Sequence, residues 1–168
     1  LLVNAHDHKQ RMMKIQGDGG KHHLVGVIKI DILPDGSISF YNDGDGILIE
    51  YMEEHGMNPP ELIFGSLLTS TNYDDNEERE WGGRNGYGAK LANIFSTTFT
   101  VETTCHINKK KFKQEFTNNM TSRTSPTITS YQGKPYTKIT WMPDYARFGM
   151  TNLNDSVRSL IEKRTYDI

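Results

Sequence analysis

Cysteine is almost absent: Cys105 is the only one in 168 residues. A single thiol closes no internal disulfide and builds no multi-cysteine zinc site, and such sparing use suits a reducing compartment. Long apolar runs are missing too. No stretch approaches the roughly 18 residues that a membrane-spanning helix needs, so no membrane partner is expected. Nor does one charge dominate, since 19 Lys and Arg against 21 Asp and Glu leave a net charge of −2. A chain this close to neutral does not hold a DNA duplex by backbone charge alone. By length it is one ordinary domain, long enough to bury a single core. It opens on Leu1-Leu2-Val3-Asn4 without an initiator Met or a basic leader, and it ends at Tyr166-Asp167-Ile168 just after a helical pattern. We therefore expect a piece of a larger protein.

The patterning predicts a helix over 1–14, with Asn4, Asp7, His8 and Arg11 on one face at i, i+3, i+4 and i+7. A polar loop, 17–23, leads to a strand over 24–33, where Ile28, Ile30 and Ile32 alternate with Lys29 and Asp31. Pro34-Asp35-Gly36-Ser37 reads as a turn. The return strand, 38–42, breaks at Asn42-Asp43-Gly44-Asp45-Gly46. Pro59 and Pro60 precede a helix over 61–68. A long polar stretch over 69–88 has the character of a functional loop or lid. A helix resumes over 89–95, and three strands follow near 98–106, 110–118 and 136–142, with polar loops at 107–109 and 119–135. The last helix enters at Asn154-Asp155-Ser156, rich in N-cap residues. The order predicts a single α+β domain, 1–168: a two-layer sandwich with helices on one face of a mostly antiparallel sheet.

Several segments carry chemistry. Gly82-Gly83-Arg84-Asn85-Gly86-Tyr87-Gly88-Ala89-Lys90 opens a helix. Aligned backbone N–H groups, the helix N-terminus and Lys90 would together cradle a phosphate. A glycine-rich loop with no ligand reads the same way. The segment is neither a P-loop, since Gly88 is followed by Ala89-Lys90, nor a Rossmann turn, since an acidic loop precedes it. Asn42 to Gly46, at a strand end, suits a planar base edge or a plain turn. An EF-hand loop is excluded, because Ile47, Leu48 and Ile49 stand where oxygen ligands belong. The stripe from Asn4 to Arg11 suits either magnesium and phosphates or a solvated face. His6, His8, His22 and His23 invite a metal reading, but without a nearby cysteine they are expected to be solvated. Lys109-Lys110-Lys111 with Lys113 reads as a solvated strand edge.

Taken in order, Asn4-Ala5-His6-Asp7 on a helix, Asn42 to Gly46 at a strand end and the glycine segment at 82–90 resemble the Bergerat-type ATPase fold. DNA gyrase, a heat-shock chaperone, histidine kinases and a mismatch-repair protein share that fold. The stretches 61–75, 82–90, 93–97 and 99–103 resemble more narrowly the eukaryotic-type DNA topoisomerase II, in the nucleotide-binding part of its N-terminal ATPase region. The resemblance implies ATP and Mg2+ as cofactors. It gives Asn4 the magnesium role and Asn42 the adenine amino group. Ser70, Thr71 and Asn72 match a run contacting nucleoside and phosphate, and Gly83, Arg84, Asn85, Gly86, Tyr87, Gly88, Ala89 and Lys90 match a lid over the triphosphate. Leu48 stands where the family often has proline, and Thr71 where serine is common.

The same resemblance implies a module that closes an N-terminal gate for double-strand DNA passage by a type II topoisomerase. A nucleotide-dependent chaperone or kinase module on this fold is the alternative, and Thr69 to Asp75 speaks for the topoisomerase. The DNA partner would be bound through other domains and the full-length protein would be a homodimer. Its place would be the nucleus, or the host cytoplasm or nucleus if the chain is encoded by a large DNA virus. No catalytic residue is expected within the chain, because the family's general-base glutamate would immediately precede Leu1. A second catalytic lysine would lie in a following domain, so the isolated chain is expected to bind ATP but barely hydrolyse it. Residues 76–88 are expected to order over a triphosphate. Finally, His8 and Asp45 stand where gyrase relatives place an acid and an arginine that pair, so Asp45 is expected to raise the pKa of His8 if the two meet.

Overall fold

Strict alternation dictates the first hairpin. Strand β1 (Ile28–Ile32) and strand β2 (Ile38–Asp43) pair antiparallel from Ile28↔Asn42 to Ile32↔Ile38. Their turn is built as the sequence suggests. Asp35 Oδ1 accepts hydrogen bonds from the Ser37 backbone N–H at 2.9 Å and its hydroxyl at 2.7 Å. Gly36 takes the left-handed conformation at φ 87°. Those bonds to Ser37 also hold the Asp35 carboxyl below its ordinary pKa. The computed structural model describes residues 1–16, 22–66 and 88–167.

Before the hairpin lies helix α1 (Leu2–Gln16), and after it helix α2 (Pro59–Gly65), with both prolines in the first turn where no N–H is needed. Helix α3 (Gly88–Ile94) runs into β3 (Ser96–Cys105), which pairs antiparallel with β4 (Lys110–Thr117). Two short strands, β5 (Ser122–Arg123) and β6 (Thr127–Ser130), both pair with β4. The chain then returns as β7 (Tyr136–Pro143), passes a 3-10 turn at Tyr145–Phe148 and ends in α4 (Asp155–Tyr166).

The sheet order is β1-β2-β7-β3-β4-β5, with β6 also on β4. Strand β7, late in sequence, is thus inserted between β2 and β3. One face carries Phe40, Phe99, Val101, Phe112, Phe116 and Ile139, which form a single core with Ala5 of α1, Phe64 of α2 and Ala89 of α3. This is the expected α+β architecture with helices on one face. Inside that layer, Asn93 Nδ2 donates to the Phe64 carbonyl at 3.0 Å and ties α3 to α2. Among the described residues no helix is long and apolar enough to cross a membrane.

The structure departs from the sequence reading in four places. The loop expected at 119–135 contains β5 and β6, whose residues are all exposed and give no alternation. The strand expected over 24–33 begins only at Ile28, since the Gly26 and Val27 N–H groups donate to Asp43 Oδ1 at 2.8 Å each instead of to a strand partner. Helix α4 has its Asn154 cap, accepting from the Val157 N–H at 2.9 Å, yet buries no residue. Lys111 and Lys113 are not on a free edge, since β4 there lies between β3 and β6. Lys111 Nζ is 3.2 Å from Glu102 Oε2, and Lys113 stands opposite Glu102 in the ladder. Beside them, burial and a 2.5 Å bond to Glu102 push the Tyr136 hydroxyl up to about 12.

Candidate functional site

The end of β2 gathers the polar groups. Asn42 is buried there, opposite Thr137 of β7, and its Nδ2 donates to the Asp43 carbonyl at 2.7 Å. Thr137 in turn stands opposite Thr103 of β3, and their hydroxyls are 2.8 Å apart. Directly opposed residues in a ladder project to the same face. Asn42, Thr137 and Thr103 therefore form a buried polar row across three strands, on the face that carries the core. Sequence reasoning singled out Asn42 but missed the threonines, because only the insertion of β7 brings them alongside.

After Asn42 the chain must turn sharply beneath β3. Gly44 sits at φ 117° and Gly46 at φ 73°. A Cβ on Gly46 would lie 1.6 Å from the Thr104 carbonyl oxygen, so the backbone passes where no side chain fits. The two glycines are thus dictated by conformation and by close approach. Between them, Asp45 is held by three groups. Its Oδ2 lies 2.6 Å from His22 Nδ1, its Oδ1 accepts the His23 N–H at 2.5 Å, and His106 Nδ1 is 3.4 Å from Oδ1.

The expected pairing of His8 with Asp45 is not what the structure shows. His22 and His23 occupy the carboxylate, and among the described residues His8 Nε2 is buried without a hydrogen-bond partner. Desolvation lowers the pKa of His8, with Arg11 and His22 acting the same way, and the opposing pull of Asp45 does not outweigh them. The direction is opposite to that expected. A histidine with a depressed folded pKa takes up its proton more readily when unfolded. Stability should therefore fall as pH drops through about 6.5, the unfolded value. His8→Leu is expected to flatten that acid-side loss between pH 7 and pH 5 in thermal melts. An unchanged slope would assign the loss to other groups.

Helix α1 presents Ala5 and Met12 to the interior and leaves Asn4 and Arg11 exposed. His8, between the two buried residues in helical register, shares the inner side. The stripe of four polar residues is therefore split between two environments. On α3, no described residue comes within 4 Å of where a Gly88 side chain would sit, Ala89 is in the core and Lys90 is fully buried, at 1% exposure. Burial lowers the Lys90 pKa. Of the other residues singled out in the sequence, Ser70, Thr71, Asn72, Gly83, Arg84, Asn85, Gly86 and Tyr87 lie outside the described residues, as does most of the proposed lid at 76–88.

Comparisons with known proteins converge. The chain is 53% identical over 169 aligned residues to the probable DNA topoisomerase 2 of Dictyostelium discoideum, covering 100% of this chain and 10% of that protein. It is 46% identical over the same span to the DNA topoisomerase 2 of Acanthamoeba polyphaga mimivirus, covering 13% of it. Among solved structures, the ATPase region of Saccharomyces cerevisiae topoisomerase II superposes with a TM-score of 0.79 at 47% identity. That match covers 83% of this chain and 38% of the other. The chain thus spans about a tenth of the length of these curated relatives. No family model matches it.

Proposed function

We propose, for a chain homologous along its whole length to DNA topoisomerase 2, that it is the nucleotide-binding part of a type II topoisomerase ATPase region. The observation that carries this reading is the buried polar row headed by Asn42, inside a fold that matches such an ATPase region. An amide beside two hydroxyls at the end of a sheet offers hydrogen bonds to a neutral, planar base edge, which a hydrocarbon pocket cannot. Asn42 would read the adenine.

Lys90 is a cation already stripped of water, so phosphate oxygens would find a strong partner there. Gly88 and Ala89 would bring backbone N–H groups to the same phosphates. Asn4, exposed on α1, suits a place in the coordination sphere of Mg2+, since an amide oxygen is a hard, neutral ligand. Ser70, Thr71, Asn72 and the run from Gly83 to Tyr87 would complete the contacts. ATP bound to Mg2+ would then drive closure of an N-terminal gate in a homodimer whose other domains hold DNA. The nucleus, or a viral host's cytoplasm or nucleus, would be its place of work.

In the full-length protein, Asn42→Ala is expected to weaken binding of a non-hydrolysable ATP analogue by about tenfold or more. Unpaired polar groups on a buried base cost about 1–3 kcal/mol. DNA-stimulated ATP turnover should fall with it at sub-saturating ATP. Calorimetry that finds equal affinity in parent and variant would reject the adenine role.

A further inference from the structure

Of the histidines expected to be solvated, His23 is exposed, but His22 is half-buried in a cluster. His22, Asp45 and His106 converge from three separate elements: the segment before β1, the glycine turn after β2, and the first residue beyond β3. One donor atom from each lies within 4.8 Å of the others. The Asp45 side chain is 10% exposed, that of His106 17% and that of His22 27%. The ring of His106 packs edge-on against those of His22 and His23, at centroid distances of 6.1 and 5.5 Å. The cluster is therefore walled by its own rings, with the carboxylate at its base.

We propose that His22, Asp45 and His106 bind one divalent transition-metal ion of the zinc type. The donor set is two imidazoles and one carboxylate, which suits Zn2+ or Co2+. It does not suit Mg2+, which takes oxygen ligands, so this site is separate from the magnesium proposed beside Asn4 and does not depend on the nucleotide reading. The spacing fits as well. Two bonds of about 2.1 Å at a tetrahedral angle separate their ligand atoms by about 3.4 Å. His106 Nδ1 already stands 3.4 Å from Asp45 Oδ1, right for a shared ion, and the ion would replace its 3.3 Å contact with the Asp45 backbone carbonyl. His22 Nδ1, at 2.6 Å from Oδ2, would open by less than 1 Å. The His23 N–H bond to Oδ1 fixes the carboxylate from behind. A bound ion would tie the entrance of β1 to the ends of β2 and β3.

The test is Co2+ titration of the full-length protein followed by Zn2+ competition. His22→Ala, His106→Ala and, as a control from another turn, His55→Ala would be compared with the parent. One Co2+ equivalent with visible d–d absorption is expected in the parent and in His55→Ala, displaced by Zn2+. Both ligand variants should lose that band and bind Zn2+ at least tenfold more weakly. An unaltered band in His106→Ala would overturn the proposal. X-ray absorption of the Zn2+-loaded parent supplies a check that needs no variant. Two imidazole ligands and the Asp45 carboxylate are expected, and a spectrum without imidazole scattering would overturn the assignment.

Discussion

Gly46→Ala is expected to abolish the native fold rather than weaken it. A methyl group at this position would sit 1.6 Å from the Thr104 carbonyl oxygen and 2.8 Å from its carbonyl carbon. Both are backbone atoms of a central strand, so no rotamer change relieves the clash. Gly46 also forms a bridge to Cys105 and holds φ 73°, a conformation that costs an L-residue about 1 kcal/mol or more. The turn would have to leave β3, breaking that bridge and releasing Ile49 from the core. Together these place the loss above about 4 kcal/mol, the range of severe single substitutions. Gly88→Ala, with no described residue within 4 Å of the added methyl, is expected to fall within about 0.5 kcal/mol of the parent. Urea melts of the two variants make the comparison. A Gly46→Ala midpoint close to that of the parent would mean that the turn passes β3 at a greater distance.

Lys90→Met is expected to cost nucleotide affinity more than any other single change among the described residues. The side chain is fully buried, and removal from water depresses its pKa. A charged hydrogen bond to phosphate is worth about 1.5–3 kcal/mol, or roughly 10- to 100-fold in dissociation constant. Methionine keeps the length and the packing while removing the charge. Lys138→Met, on the exposed side of β7, serves as the control and should bind as the parent does. Calorimetry with a non-hydrolysable ATP analogue at fixed salt decides the matter. A threefold change or less at Lys90 would mean that its ammonium never meets the phosphates.

Much of the layout was legible because burial on one face writes itself into alternation. The strands β2, β3, β4 and β7 alternate or carry β-branched and aromatic residues, and their bounds lie within two residues of the expected ones. Strand β5 carries no such signature. It is two residues long, and Arg123 reaches Glu61 at 3.2 Å instead of filling a core position. Strand β6 is exposed throughout. In the site, Asn42 and the flanking glycines were legible because their requirements are local: an amide at a strand end and positive φ after it. The partners of Asp45 were not. His22 and His106 lie 23 and 61 residues away along the chain. Only the lateral order of the strands brings them together, and periodicity says nothing of that order. The expectation for His8 failed for the same reason, since a helix position facing the turn was visible and the segment at His22-His23 lying against it was not.

The insertion of β7 between β2 and β3 also sets a timetable. Strand β2 ends at Asp43, and its neighbour ends 100 residues later at Pro143. At about 5–20 residues per second on a ribosome, the first hairpin would wait roughly 5–20 s with the inner edge of β2 unpaired. An open strand edge templates unwanted pairing with other chains, and this one carries Phe40 and Ile38. Strands β3 and β4 can pair as soon as both have emerged, but the two halves of the sheet join only when β7 arrives. The domain is therefore built by a late closing step, and conditions that slow synthesis or truncate the chain before residue 143 should leave β2 exposed to nascent neighbours and chaperones.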